Sequence, residues 1–169
     1  TMDMPLFLYM LVLNLSALAA SIYKDWDEMK IISFIGSIGL FGVYYSLFDP
    51  EQWGKPFFYV SSIFAVYALG LLFSSYRKGR DYAGIDLILG LVNSVHFVFW
   101  SVLIFKEFEL SHALPLLLVG LVFLGIATFI YFTTERKVSI GLGVYAVLGL
   151  AVMAIAGHDM GLLFVAGGM

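Results

Sequence analysis

Cysteine is absent from this chain and charge is scarce. Its 169 residues include nine Lys or Arg and twelve Asp or Glu, 12% of the total, where a soluble protein carries about a quarter. Without cysteine there is no disulfide framework, no thiolate metal site and no cysteine nucleophile. No GxSxG, HExxH or P-loop pattern occurs, so no catalytic residue is assigned and no enzyme is expected. Nor is there a basic patch interleaved with aromatics, which excludes nucleic acid as an expected partner.

What the chain has in excess is apolar surface, 62% of its residues. The charges gather in short clusters and leave six uncharged stretches: residues 4–23, 31–48, 56–76, 87–105, 110–134 and 138–157. Each runs roughly 18 to 25 residues, enough for a helix rising about 1.5 Å per residue to cross a hydrocarbon core of about 30 Å. Helices apolar all round need apolar surroundings on every side, and six of them cannot all be central in a soluble protein of this size. Strands of a transmembrane barrel would alternate apolar and polar over about ten residues, a pattern the continuous runs lack. The expected fold class is therefore all-α, an integral membrane bundle of six transmembrane helices forming one domain over residues 1–169.

Short loops carry the orientation signal through the bias of Lys and Arg towards the cytoplasm. The first, third and fifth loops hold Lys24, Lys30, Arg77, Lys78, Arg80, Arg136 and Lys137, against Lys55 and Lys106 on the opposite side. N- and C-terminus are then expected outside. Trp26, Tyr23, Tyr76, Tyr82 and Trp53 sit at the span ends, where amphipathic rings favour the headgroup layer. Residues 160–169 are apolar but too short to span, and the polar pair His158-Asp159 before them suggests the start of a further element, as in a piece of a longer protein.

No Asp, Glu, Lys or Arg is expected well inside a span, which argues against a proton relay or ion path. The polar residues within the spans are few, and the fourth span has most of them. Asp86, Asn93 and Trp100 recur every seven residues on one face; Asn93 and His96, and His96 and Trp100, are neighbours at helical spacing. Asp86 is read as capping its helix. Asn14, Asn93, His96 and Trp100 are the candidates for ligand binding or helix packing, and hydrogen bonding between helices is the ordinary role of such membrane Asn and His. His112 and His158 lie far in depth from His96, and no metal site and no cofactor are expected. Gly36, Gly39 and Gly42 in the second span, Gly120 and Gly125 in the fifth, and Gly141, Gly143 and Gly149 in the sixth are read as close helix contacts. Residues 7–14 can be set beside 86–93, aligning Asn14 with Asn93, as an inverted transporter repeat would do.

Three stretches carry a family resemblance. FLYMLVLNLS at 7–16, followed by a charged loop with Trp26 and by FIGSIGLFGVYY at 34–45, resembles the bacterial DUF2339 predicted membrane proteins. LGLVNSVHFVFW at 89–100 resembles that family's second Asn-and-aromatic helix, and AVLGLAVMAIAGHDMGLLF near the end is similar to its later pattern. The resemblance implies a long protein with many helices, of which this chain is a segment, and supplies no catalytic residues.

The expected function is a non-enzymatic structural or interaction module of a bacterial inner-membrane protein or complex. Its expected partners are membrane lipids and other transmembrane helices or subunits. The rival reading is a transporter or a lipid- or small-molecule-binding domain with a weakly polar path near Asn93 and His96. A carboxylate projecting inward from Asp86 or Glu107 is what a membrane enzyme would show.

Overall fold

The computed structural model describes residues 3–24, 26–48, 50–77, 82, 84–111, 113–133 and 139–167. Lys78, Arg80, Arg136, Lys137 and His112, used above for orientation and metal binding, lie outside them. The described residues form six helices: α1 Asp3–Lys24, α2 Asp27–Phe48, α3 Gly54–Arg77, α4 Gly84–Glu107, α5 Ala113–Thr133 and α6 Ile140–Gly167. All six are long and apolar enough to cross a membrane. The chain is thus an all-α membrane bundle.

Helix ends follow from local chemistry. Asp27 and Glu28 stand in the first turn of α2, where carboxylates complement the helix dipole. Pro56 and Pro115 lie in the first turns of α3 and α5, where a missing N–H costs no helical bond. The Ser139 hydroxyl accepts from Leu142 N–H at 3.2 Å and so caps α6. At the end of α4, Leu110 N–H bonds Phe105 O at 2.8 Å and Glu109 N–H bonds Lys106 O at 3.2 Å. That is a Schellman closure, and it holds Glu109 at φ 54°, where glycine is the usual occupant.

Sequential helices pack as antiparallel hairpins, α1 on α2, α3 on α4 and α5 on α6, while α1 and α3 lie parallel. The third helix is central, with half of its span buried. Aromatic stacking joins it to both neighbours: Phe7 on Tyr59 at 3.9 Å, and Phe64 on Phe97 at 4.5 Å. Phe123 of α5 contacts both Phe64 and Tyr145 at 6.0 Å and so ties the last hairpin to the core. Leu8, Val12, Ile35, Phe73, Phe99, Phe132 and Leu150 point outwards. In water these would form an apolar patch far beyond what a monomer exposes; against lipid they need no cover.

Two expectations about the chain's course change. α6 continues through His158 and Asp159 to Gly167, so the boundary expected there does not form. A His-Asp pair in sequence does not interrupt the backbone hydrogen-bond ladder as proline would, so it gives the helix no reason to stop. The glycines also divide. A Cβ at Gly120 would meet Gly149 O at 3.0 Å, and one at Gly149 would meet Gly120 O at 3.0 Å, so this pair sets the α5–α6 crossing. A Cβ on Gly36, Gly39 or Gly42 would meet nothing within 4 Å, because that face of α2 is not packed on a helix. The same openness holds at Gly125 and Gly143.

Candidate functional site

The helices α2 and α4 begin at the same end of the bundle, so early residues of each share one depth. Lys30 is the fourth residue of α2 and Asp86 the third of α4. Lys30 is fully buried; its Nζ donates to Asp86 Oδ1 at 2.8 Å and to Asp27 Oδ1 at 3.0 Å. Asp86 Oδ2 accepts from Ser75 Oγ at 3.3 Å. A buried lysine between two carboxylates therefore joins α2, α4 and the end of α3. The expectation that every charge is expelled to the surface is wrong for this pair, and Asp86 is occupied by Lys30 and Ser75 rather than by its own helix terminus. At the other end, the Tyr45 hydroxyl donates to Glu107 Oε2, so α2 and α4 are held at both ends.

From the ion pair a hydrogen-bonded chain leads into the membrane. Ser33 Oγ donates to the Lys30 carbonyl at 3.3 Å, and Tyr67 OH donates to Ser33 Oγ at 2.9 Å. The phenol oxygen also lies 3.4 Å from the Asn14 amide and 3.3 Å from Ser37 Oγ. Ser37 spends its own proton on Ser33 O at 2.7 Å. Tyr67 has one hydroxyl proton, which goes to the nearer Ser33. The Asn14 amide oxygen, at 3.4 Å, is the more distant alternative acceptor for the same proton. Tyr67 stands ten residues before the end of α3, about 15 Å deep at 1.5 Å per residue, or half of a core of about 30 Å. α1, α2 and α3 thus meet at one buried phenol near the midplane.

The candidates on α4 lie beside this chain and not in it. Asn93 is fully buried and donates through Nδ2 to the Phe64 carbonyl at 3.0 Å; its Oδ1 has no partner. His96 and Trp100 turn towards α2, edge-on to Phe41 at 6.0 and 5.0 Å, with the two rings 6.4 Å apart. The His96 Nε2 is buried and unpartnered. His96 and Trp100 thus stand together on the side of α4 that meets α2, while Asn93 turns to α3 and Asn14 joins Tyr67.

Sequence reasoning missed Lys30, Ser33, Tyr67, Ser75 and Asp86 as a unit. One signal could have found the ion pair: opposite charges at matching depth in two helices that start on the same side. The serines and the tyrosine had no such signal, because their pairing depends on how α1 and α3 are rotated.

Tyr82, between α3 and α4, folds back into the bundle. Its hydroxyl lies 3.4 Å from that of Tyr145 on α6, both packing over Gly90, and its carbonyl approaches Gly141. Burial, reinforced by the Tyr145 phenol and the Asp86 carboxylate, pushes the Tyr82 phenol far above its ordinary range.

Two cavities among the described residues are apolar. A groove of about 820 Å3 runs between α1, α3 and α5, and a smaller one of about 310 Å3 lies between α3, α4 and α5 near Trp53. Neither is lined by Asn14, Asn93 or His96. Among the described residues no three His, Cys, Asp or Glu side chains come together as a metal set. The inward carboxylate that an enzyme would show is present as Asp86, but both of its oxygens are held by protein groups.

A family model described as predicted membrane protein (DUF2339) matches residues 3–161. No curated protein and no solved structure matches the chain. With nearly its whole length matched, the chain belongs to the DUF2339 family of predicted membrane proteins.

Proposed function

We propose that this DUF2339 chain is a non-enzymatic module of a bacterial inner-membrane protein, with both termini outside, that works by packing against further helices or subunits. The observation that carries the reading is the internal pairing of its polar groups. Lys30, Asp86, Ser75, Ser33, Tyr67 and Asn14 bond to one another across α1 to α4, and the adjoining cavities are apolar. Such a network rigidifies a core and specifies which helices meet. The outward faces of α6, with Val147, Leu150 and Ile155, remain free for a neighbour in the membrane plane.

The test is photo-crosslinking in native membranes from Val147, Leu150 and Ile155 of the full-length protein. A discrete protein adduct from these positions, absent from Ile88 and Val92 on the exposed side of α4, supports the reading. Lipid adducts alone from every position would refute it. A second reading, a path for a small polar ligand, is favoured by the unpartnered Asn93 Oδ1 and His96 Nε2, three residues apart on α4. A ligand on that path raises the melting temperature in detergent, and Asn93→Leu abolishes the rise.

A further inference from the structure

The packing module leaves one apolar groove of the molecule unused. The groove between α1, α3 and α5 holds about 820 Å3, within the roughly 300–1,000 Å3 typical of small-molecule sites. Its walls are apolar, among them Leu15, Leu69, Phe73, Val122 and Phe129, and it is deepened at Gly125, where a Cβ would meet nothing within 4 Å. Along α3 it runs from Ala65 to Tyr76. Those eleven steps span about 16 Å at 1.5 Å per residue, about half of a hydrocarbon core of about 30 Å. The groove is one leaflet deep.

Two of the helices that wall it end in a cation. Tyr76, the last lining residue, is followed by Arg77, whose guanidinium sits 4.6 Å from the Tyr23 ring centroid, and Lys24 Nζ lies 5.0 Å from that of Trp26. Both cations close helices that form the groove, α1 and α3. No acidic residue lines it, and α2, which carries Asp27 and Glu28, is not part of its wall. Among the described residues Lys24 and Arg77 contact aromatic rings and no carboxylate. We propose that this groove is a binding site for one anionic phospholipid, with an acyl chain between α1, α3 and α5 and the phosphate on Lys24 and Arg77. Juxtamembrane cations are each worth about 1 kcal/mol towards an anionic lipid surface, and a fitted groove turns that attraction into a site. The site does not rest on the packing reading, because it lies on α1, α3 and α5 rather than on the exposed face of α6.

Thermal melting of the full-length protein in detergent tests it, with phosphatidylglycerol and phosphatidylcholine of identical chains as probes. The expected result is a larger rise with phosphatidylglycerol. K24Q/R77Q should reduce that rise to the phosphatidylcholine level, a loss of at least tenfold in affinity. G125W, which puts an indole into the groove, should abolish it; L69W does the same from an exposed position should G125W fold poorly. Equal shifts for the two lipids, or a phosphatidylglycerol preference that survives both groove-filling variants, would overturn the proposal. So would a cross-link from Leu69 to a second copy or to another helix of the same protein, which would make the groove a helix seat.

Discussion

Removing Lys30 should harm this protein more than neutralising Asp86, although the two are partners in one contact. At 2.8 Å and an effective dielectric constant of about 20, the pair's gross attraction is about 6 kcal/mol, most of which is offset by the desolvation of both ions. The single variants differ in what they strand. Lys30→Met leaves the Asp86 carboxylate buried with only the 3.3 Å bond from Ser75. A buried charge deprived of its partner costs about 3–5 kcal/mol, and this variant should fall in that range. Asp86→Asn leaves Lys30 with Asp27, 3.0 Å away and with about half of its side chain exposed. That residual pair, and an amide oxygen that still accepts from the ammonium, should hold the loss to about 2 kcal/mol.

The double variant Lys30→Met with Asp86→Leu removes both charges and fills the space with apolar atoms. Replacements of this kind are often neutral or stabilising, so it should lie within about 1 kcal/mol of the parent and well above Lys30→Met alone. The assay is reversible unfolding in mixed micelles at increasing SDS, run as a double-mutant cycle with Lys30→Met and Asp86→Leu as the two singles. Single variants that each cost under about 0.5 kcal/mol, or a double variant whose loss equals the sum of the singles, would refute the account: the first would mean that the pair is hydrated, the second that the residues do not interact.

Three further outcomes follow from particular positions. Glu109→Gly should stabilise the protein by up to about 1 kcal/mol in the same assay, because the left-handed φ that closes α4 costs a non-glycine residue about that much. Gly120→Leu should separate the last two helices, visible as lost cysteine cross-linking between engineered pairs on α5 and α6, whereas Gly36→Leu should be silent, since its Cβ enters open space. Tyr82→Phe should flatten the alkaline loss of stability. Its phenol ionises far higher in the folded state than in the unfolded chain, so above about pH 10 only the unfolded state sheds that proton and stability falls with rising pH. The wild type should lose up to about 1.4 kcal/mol per pH unit more than Y82F above that point, and equal slopes would show that the phenol is not protected.

The helices were legible in the sequence because their cause is one-dimensional. An uncharged run of the right length needs a helix and a bilayer whatever it packs against. Neighbour relations within one helix were legible too: His96 and Trp100, four residues apart on α4, stand ring to ring because spacing alone brings them together. What failed needed the rotation of one helix against another. Gly36, Gly39 and Gly42 have the spacing of a packing seam, yet α2 turns Lys30, Ser33, Ser37 and Phe41 inwards and leaves the glycines open. Asn14 pairs with Tyr67 for the same reason. Lys30 shows the lesson most sharply. Counted along the chain, it is one more loop cation reporting orientation. Set at the depth of Asp86, it is a buried charge that neutralises a buried charge. Since a lone ion at that depth would be expelled or hydrated, the pair constrains α2 and α4 to meet, and with them the serines and the tyrosine that complete the network. The polar interior is therefore a consequence of one contact between residues 56 positions apart, and it is at such a contact that a membrane bundle with no catalytic motif keeps its specificity.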